Sequence, residues 1–507
     1  MRIRPPAIVL ALPLSAALPT GQAGAQNLPP TVSITQATVD QGAATVTITY
    51  DLADAEGDAC TVSLRASMDG GTVYAVSTAG ATGDVGAGIM PGTGRTISWN
   101  VDEVPNIMEA IVMVVADDGH APDIQAMVDQ VDADRLAQRL EDLAVPRHHL
   151  AHPAALAATR DTLVNAFTAA GLEVALQDVT YGGGTVPNVI GRRPGLVDDQ
   201  HTWVVDAHYD GVANSPGADD NASGVAATLE IAHILAPYRF KHSIRYIGFA
   251  FEEQGLVGSG HYVQSGIPAW ETVGGVLNLE MIGYYSDTPY SQELPAGFEV
   301  LFPEALAALE ADSFRGNFLT VVGNTASQPL IDAYLAACAA HVPGLRTIPL
   351  AVPGNGQIAP DLRRSDHARF WDAGMQALML TDGSEFRNPN YHTPLDAVDS
   401  LHIGFLTDNT KATLAALAML AQPMNAGMDT HAMGTAGLGG HGHGFPCVAR
   451  LFPNPAADVL RLELDLCTDE HIVARLFDME GRRVMGRDLR PAAGARTFEL
   501  AIGDVPP

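Results

Sequence analysis

Thr202-Trp203-Val204-Val205-Asp206-Ala207-His208-Tyr209-Asp210 decides the fold. Its first six residues read as a buried strand. A turn-rich stretch follows, Gly217-Ala218-Asp219-Asp220-Asn221-Ala222-Ser223-Gly224, and leads into an apolar helical pattern over 224–235. Strand, polar loop and helix in that order form the unit of a largely parallel sheet covered on both faces. Outward from it, Asn188-Val189-Ile190-Gly191, 243–251 and Val276-Leu277-Asn278-Leu279 are strand-like, and 134–143 and 154–170 are helix-like. Residues 121–424 are therefore expected to fold as an α/β domain with its site at the strand ends.

The loops after these strands carry imidazoles and carboxylates. His208 and Asp210 follow one strand, Glu252-Glu253 another and Glu280 a third, while His392 lies in a turn-rich loop between Pro389 and Pro394. Imidazole nitrogen with carboxylate oxygen suits zinc, and two cations can share a bridging carboxylate. Asp210 is spaced to accept a ring N–H from a ligand imidazole. Two adjacent acids at a buried strand end are costly without a partner, so if one of Glu252 and Glu253 coordinates, the other can act as general base. A His-x-Asp or Glu-Glu alone is ordinary surface chemistry; the joint occurrence carries the signal.

Composition bounds the rest. At 507 residues the chain needs more than one core, and 47% apolar with 17% charged residues is globular usage. A formal net charge of −30 excludes a phosphate-binding face and so a nucleic-acid partner. Arg2 and Arg4, the apolar run 7–18 and Ala23-Gly24-Ala25 read as a signal peptide over 1–25, and no other stretch would span a bilayer. A secreted or outer-surface location is expected. Cys447 and Cys467 are close enough in sequence to pair, while Cys60 and Cys338 read as buried thiols.

Flanking segments have their own periodicity. Residues 26–120 alternate apolar and polar with period two, as in 31–35, 44–50 and 60–64, and are expected to form a β-sandwich that weakly resembles immunoglobulin- or fibronectin-like modules. Residues 425–446, rich in Gly and His, read as a flexible linker. A small all-β segment, 447–507, follows, with no closing strand evident and a truncated end expected.

Six motifs together give 185–405 a family resemblance. They are Ala207-His208-Tyr209-Asp210, Pro216 to Gly224, Glu252 to Ser259, Asn278-Leu279-Glu280-Met281-Ile282-Gly283-Tyr284, Arg364-Ser365-Asp366-His367 and Tyr391-His392-Thr393-Pro394. They resemble the co-catalytic zinc peptidases of the bacterial aminopeptidase and glutamate carboxypeptidase group, whose fold is phosphorylase/hydrolase-like. The resemblance implies two zinc ions, one held by His208 and Glu280, the other by Glu253 and His392, with Asp220 bridging. It also implies Glu252 as general base, Tyr391 polarising the scissile carbonyl and Arg364 touching substrate. Glu280 departs from the Asp of many aminopeptidases.

The expected activity is a secreted metallopeptidase that acts on peptides or proteins, removing N-terminal residues. The alternatives are a carboxypeptidase or dipeptidase on the same site, a glutaminyl cyclase-like enzyme with one zinc, and a catalytically dead relative serving as an adhesive protein. Leu451 to Leu460 and Leu476 to Arg482 resemble a type IX secretion sorting domain, which implies attachment to the cell surface.

Overall fold

The computed structural model describes residues 27–433 except 41, 105, 106, 108 and 109, and beyond 433 only the backbone of five strands. The expected signal peptide, most of the expected linker and the Cys447–Cys467 pairing lie outside the described residues.

Two small sheets come first. Strands β1 (Thr31–Asp40), β2 (Thr45–Ala53), β3 (Cys60–Ser67), β4 (Ala81–Gly83), β5 (Gly86–Ile89), β6 (Gly92–Asn100) and β7 (Ile111–Asp117) are joined by an eighth from the far end of the α/β unit. The orders are β1-β2-β6-β4 and Ala426–Ala432-β7-β3-β5. Val46, Ile48 and Trp99 of the first sheet share one buried core with Val62, Leu64, Val112 and Val114 of the second. The strand Ala426–Ala432 corrects the linker reading of 425–446. It pairs antiparallel along all of β7, from Ala426 opposite Asp117 to Ala432 opposite Ile111. The α/β unit is thus inserted between two neighbouring strands of an N-terminal sheet. Gly-rich composition just beyond this strand hid it from the sequence reading.

The inserted unit is built on an eight-stranded mixed sheet. Its strands are β8 (Glu173–Tyr181), β9 (Gly184–Arg193), β10 (Asp198–His208), β12 (His242–Phe249), β13 (Thr272–Leu279), β14 (Leu319–Asn324), β15 (Thr347–Val352) and β16 (Ala377–Thr381), in the order β15-β14-β16-β13-β10-β12-β9-β8. A two-residue strand, β11 (Arg239–Phe240), lies outside it and pairs with β17 (Pro423–Met424), so that Ala426–Ala432 is β18. The centre is parallel, β12-β10-β13-β16, and antiparallel pairs flank it.

Alternate residues of the central strands feed opposite faces, as a period of two requires. Val205, Leu277, Val321 and Leu378 join one core; their neighbours Val204, Val276, Val322 and Met379 join the other. Helices α1 (Ile124–Val128), α2 (Ala133–Leu143), α3 (Pro153–Ala169) and α4 (Gly224–Leu235) contribute to the first core. Helix α5 (Val257–Ser265) and the short helices α6 (Phe298–Leu301) and α7 (Pro303–Ala311) contribute to the second. Of the last three, α8 (Gln328–His341) and α10 (Ile403–Ala421) pack on the first face and α9 (His367–Asp372) on the second. Helix α10 is Ala- and Leu-rich on nearly every side and correspondingly buried.

The two units are fastened at the entry end of β10. Arg65 donates to Asp199 Oδ1 at 2.6 Å, and the Tyr74 backbone N–H donates to Asp199 Oδ2 at 2.8 Å. Nine residues later, roughly 30 Å along the strand, β10 ends at His208. Beyond residue 433, Pro446–Phe452, Val459–Leu466 and Gly494–Ala501 form one antiparallel sheet, and Ile472–Phe477 pairs with Arg483–Leu489. The strand Gly494–Ala501, unseen in the sequence, lies beside Val459–Leu466 along its whole length.

Candidate metal centre

Four loops at the exit ends of β10, β12, β13 and β16 converge. The buried His208 is the last residue of β10. Glu252 and Glu253 follow β12, Glu280 follows β13, and His392 comes from the long loop after β16. Three non-glycine residues beside these ligands take left-handed φ: Phe251 (58°), Met281 (51°) and His392 itself (58°). Such backbone is costly and persists only where surroundings over-determine it, as at functional sites.

Asp220 stands at the middle, its two oxygens facing opposite ways. Oδ1 is 3.2 Å from His208 Nε2, which in turn lies 3.4 Å from Glu280 Oε2. Oδ2 is 3.0 Å from His392 Nε2, which lies 3.1 Å from Glu253 Oε2. Two groups of ligand atoms, His208/Asp220/Glu280 and Asp220/Glu253/His392, are each compact enough to share one ion. Ligands held ~2.0–2.1 Å from one zinc at tetrahedral angles stand ~3.3 Å apart, the spacing seen in both groups. Glu252 Oε2 is 4.0 Å from His208 Nε2 and belongs to neither group.

The residues fit cations rather than each other. Both ring nitrogens of His208 and Oε1 of Glu253 are buried without a hydrogen-bond partner. Burial holds the Glu252 carboxyl well above its ordinary range and, with Asp220 adding to it, pushes Glu253 up to about 7. At Asp220 burial acts the same way, but the His208 and His392 imidazoles beside its two oxygens overcome it and hold the carboxyl low. Burial opposes the charged imidazole at His392, yet Asp220 and Glu253 raise it to about 10. This is a set of buried carboxylates seeking positive charge.

A further ring of contacts holds the ligands, and most of it was not legible in sequence. Asp210 accepts the backbone N–H of Glu252 on Oδ1 (3.1 Å) and of Glu253 on Oδ2 (3.3 Å), with His208 Nδ1 3.6 Å away. The sequence pointed to Asp210 through the imidazole; its anchoring of the Glu-Glu turn is new. Asp396 accepts the N–H of Asp219 (2.9 Å) and of Asp220 (3.2 Å). Asp219 points away from the ligand atoms, accepting from Gly283 N and Asn388 Nδ2. The Asn221 side chain donates to Leu279 O and accepts from Met281 N, bracketing Glu280. No local pattern marks Asp396 or Asn388. Besides Asp210, only the run Asp219-Asp220-Asn221 gave a signal.

Arg364 and Tyr391 form the rim. Arg364 is paired with Glu385 and donates to the Tyr391 hydroxyl at 3.0 Å, while the Tyr391 ring stacks on His392 with centroids 3.8 Å apart. Beside this rim a cavity reaches into the second core, lined by Phe298, Leu309, Phe318, Ile348, Leu350 and Met379 and also by Glu280, Arg364 and Tyr391.

Residues 188–417 match peptidase family M28. The chain is 32% identical over 249 residues to the uncharacterized protein YfbL of Escherichia coli, covering 46% of this chain and 72% of that one. It is 29% identical over 314 residues to a probable zinc metalloprotease of Pyricularia oryzae (56% and 62%). With the aminopeptidase YwaD of Bacillus subtilis it shares 28% over 237 residues (45% and 43%). It therefore spans less than two thirds of the length of the last two.

Proposed function

This chain belongs to peptidase family M28 and is a zinc-dependent metallopeptidase; on that premise we propose an exported aminopeptidase that works with two zinc ions. The observation that carries the two-ion reading is Asp220, whose two oxygens face two separate imidazole–carboxylate groups. His208 and Glu280 would hold one ion, Glu253 and His392 the other, and Asp220 would bridge. Zinc there supplies Lewis-acid polarisation of the scissile carbonyl and lowers the pKa of water. A glutaminyl cyclase-like site with one zinc would leave one of these two groups without a role.

Glu252, with its raised carboxyl pKa and no place in either ligand group, is the proton carrier. Its carboxylate oxygen takes a proton from the attacking water and delivers it to the leaving amine nitrogen. The Tyr391 hydroxyl is available to the carbonyl oxygen, held in place by Arg364.

Amino-end specificity rests on charge. The inner wall carries Glu252 and Glu280, which suit a substrate ammonium. Arg364, the candidate carboxylate anchor, is engaged by Glu385 and Tyr391. The apolar cavity beside Glu280 suits a bulky aliphatic or aromatic side chain next to that amine. Acetylating the N-terminus of a good peptide substrate is expected to abolish cleavage, while amidating its C-terminus changes little. The reverse pattern would make the enzyme a carboxypeptidase with Arg364 as anchor.

We read 1–25 as the export signal, the paired N-terminal sheets as an immunoglobulin- or fibronectin-like module, and 447–507 as a type IX sorting segment that attaches the enzyme to the cell surface. Among the described residues no helix is long and apolar enough to cross a membrane.

A further inference from the structure

We propose that Arg147 is a positioning residue that sets the spacing between the two ligand-bearing loops, His208 on one and Asp220 on the other. The proposal rests on the two-zinc reading. Arg147 lies before the span 188–417 that matches the family, in the loop after α2. It touches no reacting atom.

The argument begins with where its hydrogens go. Arg147 is 1% exposed, yet every hydrogen bond its guanidinium makes is to a main-chain carbonyl. Nε donates to Tyr209 O at 3.0 Å, Nη2 to Gly217 O at 2.9 Å and Nη1 to Pro216 O at 2.7 Å. Nη1 also reaches Leu143 O (3.1 Å) and Val145 O (3.2 Å), which tie it back to the end of α2.

Tyr209 directly follows His208, and Gly217 stands three residues before Asp220. One planar group therefore spans the chain as it leaves the first ligand and as it enters the bridging one. The guanidinium fork is rigid, so the separation of those two carbonyls is set by covalent geometry rather than by a flexible loop. The 3.2 Å approach of His208 Nε2 to Asp220 Oδ1 lies directly downstream of that spacing.

The turn is shaped for this contact. Gly217 has φ of 62°, and a Cβ there would collide with the Asp220 carbonyl oxygen and stand 3.1 Å from both terminal guanidinium nitrogens. A buried cation without a carboxylate hydrogen-bond partner is expensive. Here the carbonyl dipoles, and the acidic groups gathered above them, offset that cost. A simple structural staple between α2 and the sheet would need neither the fork nor the two carbonyls that bracket the ligands.

Arg147→Lys keeps the charge and removes the fork. In the full chain, near-UV circular dichroism is expected to stay native. Competition with a chromophoric chelator should show zinc held ~10-fold more weakly or worse, the scale of lost ligand support. The visible spectrum of the cobalt-substituted variant should shift, and kcat should fall ~10-fold with KM nearly unchanged, as for mispositioned catalytic groups. A lower melting temperature with wild-type zinc affinity, cobalt spectrum and kcat would overturn the proposal and leave Arg147 a staple. If Arg147→Lys does not fold, Arg147→Gln keeps a planar amide donor, loses the fork and leaves the Gly217 turn untouched, and is read by the same chelator competition. Weakened zinc binding in that variant supports the proposal, and wild-type affinity overturns it. Wild-type protein with fewer than two zinc ions would sink the two-zinc reading, whereas equal affinity in wild type and variant sinks only the role of Arg147.

Discussion

The Ser365 hydroxyl donates a 2.8 Å hydrogen bond to Oε2 of Glu280, the same oxygen that lies 3.4 Å from His208 Nε2. Glu has one more rotatable bond than Asp, so a glutamate ligand needs more restraint than an aspartate would. Ser365 supplies it from the segment that leads into α9, across 85 residues of sequence. Ser365→Ala should fold normally and hold zinc ~10-fold less tightly, the scale of a lost hydrogen bond to a ligand. Chelator competition measures it; unchanged affinity would show that packing alone orients Glu280.

Purified enzyme should contain about two zinc ions per chain by elemental analysis. Refilling the stripped protein should release protons. Without metal, burial opposes the charged imidazoles, but the surrounding carboxylates outweigh it and raise both His208 and His392, the latter to about 10. Both must become neutral to coordinate. Titration calorimetry in buffers of different ionisation enthalpy should therefore show net proton release, and apparent zinc affinity should fall as pH drops. Zero proton release would contradict the ligand assignment of the histidines.

Glu252→Gln preserves shape and cannot accept a proton. It should keep its zinc and lose at least ~10²-fold in kcat, the usual scale for removal of a general base. Loss of zinc in this variant would make Glu252 a ligand and force an exchange of roles with Glu253.

Filling the apolar cavity should change selectivity more than chemistry. Ile348→Phe is expected to lower kcat/KM for leucyl and phenylalanyl substrates ~10-fold or more relative to alanyl ones, as pocket changes of this size do. A uniform fall across all three would place the substrate side chain elsewhere.

Breaking the Arg65–Asp199 ion pair tests how the two units are joined. Both side chains are nearly inaccessible, so Arg65→Ala strands a buried carboxylate and should cost ~3–5 kcal/mol in chemical denaturation. The pair sits at the opposite end of β10 from His208, so kcat of the folded protein should be unchanged.

The amino-acid sequence by itself determined the alternation of strands and helices around 202–210 and the order of chemistry-bearing loops. Hydrophobic period is a local property and survives without tertiary information. The same local reading placed His208, Asp220, Glu252, Glu253, Glu280 and His392 after their strands or in their loop. Tertiary structure alone decided which oxygen of Asp220 faces which imidazole, because that depends on loops that meet from distant parts of the chain. It alone tied Arg364 to Glu385 and Tyr391, brought Asp396 beneath the Asp219–Asp220 turn, and set Arg147 between Tyr209 and Gly217. It also returned 426–432 to the N-terminal sheet, where a seven-residue strand is stabilised by its partner β7 rather than by any signal of its own. Each of these rests on backbone groups or single polar side chains paired across long separations, and such pairings leave no period in a sequence.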